Sequence, residues 1–250
     1  MQDIYDYLEP IYLSEINEDE GYVEGQFGKN IATVDDENFE LNNASIIIVG
    51  VNETRGNGHA NIKTSAANII RKHFYRLHYW HTDIKIADVG NIKTGATLTD
   101  SYAAVKTVLE ALYTTGKTIL ILGGSHDITL AQYNAYKKTD AVVEATCIDA
   151  FINLKGEGSL PAENFLMEMF TEEPNILKHY NHIAFQSYFV HPTMLQTIDK
   201  LRFDCFRLGN VVENIEEMEP VLRNTNMLSF DTVAMQKGNL EMIQLRVLRR

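Results

Sequence analysis

Short apolar runs take turns with amphipathic stretches from residue 44 onward, and this alternation limits the fold more than any other feature of the chain. The candidate strands are "ASIIIVGV", "DIKIADVG", "KTILILGG", "VVEATCIDA", "HIAFQS", "FDCFRLG" and "NMLSFD". Between them, "SAANIIRKHFYRLHYW", "DSYAAVKTVLEALYTTG", "TLAQYNAYKK", "AENFLMEMF", "TMLQTIDKL" and "IEEMEPVLRN" carry helical periodicity. Regular alternation of this kind predicts βαβ units, hence a mostly parallel sheet with helices on both faces. The runs are continuously apolar rather than alternating, as burial on two faces requires. The expected architecture is α/β, a single three-layer domain over residues 44–250. An acidic, weakly patterned lead-in with one short helix is expected over residues 1–43.

The chain has 250 residues, enough for one sizeable core. Its formal net charge of −12 disfavours nucleic acid and anionic membrane surfaces as partners, since both select for basic patches. Only the tail "RVLRR" gathers positive charge. No apolar stretch approaches the roughly 18 residues that a membrane helix needs. The start "MQDIYDYLEP" lacks the basic and apolar regions of a secretory signal, so a cytoplasmic protein is expected. Cys147 and Cys205 lie inside apolar runs with no CxxC spacing and read as buried free thiols.

In a parallel α/β sheet, ligands bind beyond the carboxyl ends of the strands. There, "TILIL" delivers Gly123, Gly124, Ser125, His126 and Asp127. "EATCI" delivers Asp149, Ala150, Phe151, Ile152 and Asn153, and "MLSF" delivers Asp231, Thr232 and Val233. An imidazole, carboxylates and an amide at one rim suit a hard divalent cation such as Mn²⁺ or Mg²⁺.

"GGSHD", "DAFIN" and "SFDTV" resemble the three metal motifs of the ureohydrolases (arginase, agmatinase and formimidoylglutamase), which read G-G-D-H-S, D-A-H-x-D and S-x-D-x-D in this order. "AANIIR" and "IADVGN" are similar to that family's first helix and second strand. The resemblance spans roughly residues 44–233. It implies an arginase-like fold and a pair of Mn²⁺ ions sharing a hydroxide that attacks the carbon of a guanidine or amidine. Two ions suit that step because together they acidify water and stabilise the tetrahedral charge.

Position by position, the resemblance implies His126 as a histidine ligand and Asp149 and Asp231 as the bridging carboxylates. Phe151 stands where the second ion's histidine belongs. Asn153 replaces an aspartate, and Val233 replaces another. The first ion would keep His126, Asp149, Asp231 and Asn153; the second would keep only the bridging carboxylates, beside a phenyl and an isopropyl group that cannot coordinate. One Mn²⁺ at most is therefore expected, with the alternative of none. Ser125 and Asp127 are exchanged relative to the family's order. This leaves Asp127 as a group orienting His126 or a bound water, or as a plain helix cap, the reading favoured here. Only residues 232–250 follow Asp231, so the family's C-terminal part is expected to be lacking, and Glu241 in that stretch matches no motif.

The function expected is weak metal-dependent hydrolysis of C–N bonds in a small cationic guanidine or amidine. The alternative is a catalytically inactive pseudoenzyme serving as a binding or assembly module. A homo-oligomer is expected, since an uncovered apolar sheet face invites association. A serine hydrolase is disfavoured because "GGSHD" puts Asp127 where G-x-S-x-G needs a small residue. A phosphate loop is disfavoured by the missing lysine and by the same carboxylate. His73, His78 and His81 read as parts of a packed, partly exposed helix. His179, His182 and His191 read as surface residues, with Gln186 and Tyr188 as further candidates for ligand contact.

Overall fold

The computed structural model describes residues 2–17, 21–34, 39–60, 65–139 and 141–235. The tail "RVLRR" and Glu241 lie outside the described residues. The chain divides into two compact units, Met1–Thr139 and Asp140–Arg250. The junction carries no run of glycine, proline or serine, so composition gives no sign of it.

The first unit contains β1 (Leu8–Glu9), α1 (Leu13–Ile16), α2 (Phe27–Asn30), β2 (Ala32–Thr33), β3 (Ile46–Val51), α3 (Ala66–Phe74), β4 (Ile86–Ile92), α4 (Leu98–Tyr113), β5 (Thr118–Gly123) and α5 (Ile128–Tyr136). Its sheet runs β1-β4-β3-β5, with β2 also pairing β4. All pairs are parallel except β1 with β4. Residues 1–43 are not the loose lead-in expected. Ile4, Leu8, Ile11, Ile16, Ile31 and Leu41 are all buried. Their elements are two to six residues long, too short to show periodicity.

The expected helix over "SAANIIRKHFYRLHYW" stops at Phe74, because the following carbonyls are used elsewhere. Tyr75 and Leu77 accept hydrogen bonds from the N–H groups of Gly28 and Phe27 at the start of α2. Beneath α3 lies a charged cluster with no access to solvent. The Arg71 guanidinium donates to both carboxylate oxygens of Asp88, at 2.8 and 2.9 Å, and to Asn68, Asn91 and the Gly90 carbonyl. Burial and the Asp88 charge push the Tyr75 hydroxyl's pKa far up, so it stays protonated and donates to Asp88.

Arg55 ties the loop after β3 to the loop before α4. It pairs with the buried Glu53 carboxylate and donates to the carbonyls of Gly95, Ala96 and Thr97. Burial pushes the Glu53 carboxyl up, but hydrogen bonds from Arg55 and Ser101 outweigh it and leave the pKa below the ordinary glutamate value of 4.5. A carboxyl whose pKa falls on folding adds stability above its unfolded pKa, and that stability is lost as pH drops through the folded value. Arg55→Met is therefore expected to lower stability near neutral pH and to flatten the stability loss on acidification below 4.5. Urea unfolding of both proteins across that range checks this; parallel pH profiles would exclude the Arg55–Glu53 pair as the cause.

The second unit contains β6 (Val143–Ile148), α6 (Pro161–Thr171), β7 (Leu177–Phe185), α7 (Pro192–Lys200), β8 (Asp204–Arg207), α8 (Leu208–Glu213), α9 (Met218–Asn224) and β9 (Met227–Phe230). Its sheet runs β8-β7-β6-β9 and is parallel throughout. The α/β class with mostly parallel sheets is thus as expected. β7 begins five residues before the expected "HIAFQS", since Leu177, Lys178 and His179 at its start are half-buried or exposed and break the apolar run. No helix among the described residues is long and apolar enough to cross a membrane.

Candidate metal centre

The candidate residues fall in both units. In the first, Gly123 and Gly124 close β5 with φ of 80° and 83°. A Cβ at Gly123 would also meet the Val51 carbonyl oxygen at 2.7 Å, so the turn needs glycine there. The Ser125 N–H donates to the Glu53 carbonyl at 2.8 Å, which fixes where the half-buried His126 leaves the turn.

Asp127 occupies the N-cap position of α5, but its side chain makes no capping hydrogen bond, contrary to the favoured reading. Its own backbone is already helical, with φ −61° and ψ −19°, which turns the carboxylate away from the free N–H groups. The carboxylate is buried instead, accepts the Tyr102 hydroxyl, and presses on Gly56, where no side chain would fit. One of its oxygens finds no partner among the described residues.

In the second unit, Asp149 and Asp231 follow the ends of neighbouring parallel strands. Ile148 of β6 is in register with Phe230 of β9, and the Asp231 N–H donates to the Ile148 carbonyl at 2.9 Å. Asp149 and Asp231 are therefore neighbours at the backbone, one strand spacing (about 4.8 Å) apart. Asp149 is buried, and its oxygens accept the Phe151 N–H at 3.0 Å and the Asn153 amide at 2.6 Å. Asp231 is half-buried and accepts the Val233 N–H at 2.8 Å. Asn153 thus touches the Asp149 carboxylate, and Asp231 follows the end of the neighbouring strand. Phe151 stacks on Phe189, centroids 4.7 Å apart, forming an apolar wall.

His182, expected at the surface, is completely buried. It sits among the β7 residues Tyr180–Phe185, which are buried throughout, so the imidazole points into packed structure. Its Nε2 faces the Asp149 carbonyl at 3.1 Å and can only donate there, which leaves Nδ1 to accept the Tyr180 hydroxyl at 2.8 Å. Full burial holds the Tyr180 hydroxyl protonated, its pKa raised well above the ordinary tyrosine value. His191 is exposed and caps α7 by accepting the Thr193 N–H.

Cys147 is a buried free thiol as expected, its Sγ within 4.8 Å of an Asp149 carboxylate oxygen. Cys205 is half-buried; burial first, and then the Asp204 charge, push its thiol up to about 12. Beyond the ends of β7 and β8 lies a cavity of 290 Å³ lined by residues including Gln186, Tyr188, Arg207 and Glu213. Sequence reasoning raised the first two of these and missed Arg207 and Glu213, which become neighbours only through the parallel pairing of β7 with β8.

The donor types at the ends of β6 and β9 suit a divalent cation: the Asp149 carboxylate with the Asn153 amide and the Cys147 thiol near it, and Asp231 on the neighbouring strand. The chain resembles several solved structures. A variant of Trypanosoma cruzi formiminoglutamase solved with Mn²⁺₂ is 18% identical, with 81% of this chain and 74% of that one covered and a TM-score of 0.69. The formimidoylglutamase of Bacillus subtilis is 16% identical over 92% of this chain and 74% of its own, with a TM-score of 0.65. Proclavaminate amidino hydrolase from Streptomyces clavuligerus is 14% identical over 75% and 68%, at 0.58. At these identities the likeness establishes the fold. No curated protein matches. The model of the arginase family, however, matches residues 44–235, most of the chain, and with that match the protein belongs to the arginase family.

Proposed function

We propose that this protein is a ureohydrolase-type hydrolase of C–N bonds in a linear guanidine or amidine, working slowly with one divalent cation at most. The observation that carries the reading is the pair Asp149 and Asp231, side by side at the ends of β6 and β9. The proposed ligands are His126, Asp149, Asn153 and Asp231, with Mn²⁺ the ion suggested by solved relatives. When bound, the cation supplies Lewis acidity toward the substrate and lowers the pKa of water. The protein's own part is to hold the ligands still. Two donors fix the Asp149 carboxylate, and the Val233 N–H fixes that of Asp231.

A small cationic substrate suits a chain of net charge −12. The same charge supports a protein without nucleic-acid or membrane partners, and we place it in the cytoplasm as a homo-oligomer. The apolar Phe151 stack, standing where the resemblance puts a second ion's ligand, favours the pseudoenzyme as the alternative reading. Equilibrium dialysis with elemental analysis, followed by a panel of guanidines and amidines under saturating Mn²⁺, separates the two. One ion per chain with slow release of urea or formamide is the expected result. One ion without any product would establish the pseudoenzyme, and two ions would overturn the reading of Phe151 and Val233.

A further inference from the structure

We infer that Cys147 is a ligand of the cation at Asp149 and makes the centre prefer a thiophilic dication, such as Zn²⁺ or Co²⁺, to Mn²⁺. The inference rests on the reading of Asp149 and Asp231 as metal carboxylates. Cys147 and Asp149 are two residues apart along extended chain, so both side chains leave the same face of the sheet. The sulfur lies within 4.8 Å of an Asp149 carboxylate oxygen. A zinc ion takes sulfur at about 2.3 Å and carboxylate oxygen at about 2.0–2.2 Å, so one ion held by both groups brings the two atoms within about 4.5 Å of each other.

Cys147 is in register with Ser229 on β9, two residues before Asp231. On its other side Cys147 is in register with His182 of β7. The Tyr180 hydroxyl hydrogen-bonds His182, the register partner of Cys147 on β7. Coordination expels the thiol proton to solvent as the sulfur–metal bond forms. A thiolate beside two carboxylates is a mixed soft and hard set, which discriminates against Mn²⁺, an ion suited to oxygen ligands.

The test is a Co²⁺ titration of the full chain, followed by absorption and by dialysis. A near-ultraviolet thiolate-to-cobalt charge-transfer band, growing in proportion to bound Co²⁺, is expected. The chain has two cysteines, so the band should persist in Cys205→Ser and vanish in Cys147→Ser. In Cys147→Ser, Zn²⁺ affinity should fall at least about tenfold, while Mn²⁺ affinity changes by less than about threefold. Bound Co²⁺ without the band, or a band lost in Cys205→Ser, would overturn the assignment while leaving the carboxylate site standing. Absence of Co²⁺ binding would overturn both. Should Cys147→Ser fail to fold, a band retained in Cys205→Ser identifies the remaining thiol on its own.

Discussion

Asp149→Asn is expected to abolish retention of a divalent cation, lowering affinity about 100-fold or more, equivalent to about 2.8 kcal/mol of binding free energy. The substitution removes the charge that attracts the ion. It also turns one oxygen into an NH₂ group facing either the Phe151 N–H or the Asn153 amide, both of which already donate there. Donor would then oppose donor, and the amide must rotate away or leave a buried N–H unsatisfied. Asp231→Asn should weaken binding less, because that side chain is half-buried and accepts one backbone N–H. Equilibrium dialysis with elemental analysis of the two variants checks the order. Full retention by Asp149→Asn would remove Asp149 from the ligand set.

Arg71→Met is expected to cost about 3–5 kcal/mol of stability, the range seen when one partner of a buried ion pair is removed. Arg71 and Asp88 are both completely buried, and the guanidinium occupies both carboxylate oxygens along with Asn68, Asn91 and the Gly90 carbonyl. Without it, a charged carboxylate remains in the interior with the Tyr75 hydroxyl and the Gly90 N–H as its donors. The double variant Arg71→Met, Asp88→Leu should recover much of the loss, since replacing both charges removes the uncompensated ion. Denaturant unfolding of the single and double variants gives the comparison; a single variant as stable as wild type would show that Asp88 finds other solvation.

Much of the fold was legible because the strands of parallel sheets announce themselves as apolar runs, β5 among them although its residues are largely half-buried or exposed. "SIIIVGV" and "TILILGG" became β3 and β5 almost residue for residue. The first 43 residues were not legible, since strands of two residues have no period to read. The α8 helix, Leu208–Glu213, was too short to separate from the end of "FDCFRLG". The positions of Asp149 and Asp231, just past β6 and β9, were visible from the sequence, at the ends of runs that had to be strands. Asp127 was misread as a cap because capping depends on a backbone angle that the sequence does not display. His182 was misread for a similar reason: its burial follows from β7 starting at Leu177, five residues before the apolar stretch that marks it.

The parallel order of the second sheet has a consequence in time. Where β6 meets β9, the Glu144 N–H donates to the Asn226 side chain, 82 residues further along the chain. Closing so long a loop carries an entropic cost that grows only as the logarithm of its length, but the contact cannot begin until the distant strand exists. On the ribosome β6 and β7 can pair while β9 is still unmade, so Asp149 must wait, beside an open strand edge, for the strand that brings Asp231. The Asp149–Asp231 neighbourhood thus forms only once β9 is made, and a nicked chain lacking β9 would carry Asp149 without its neighbour.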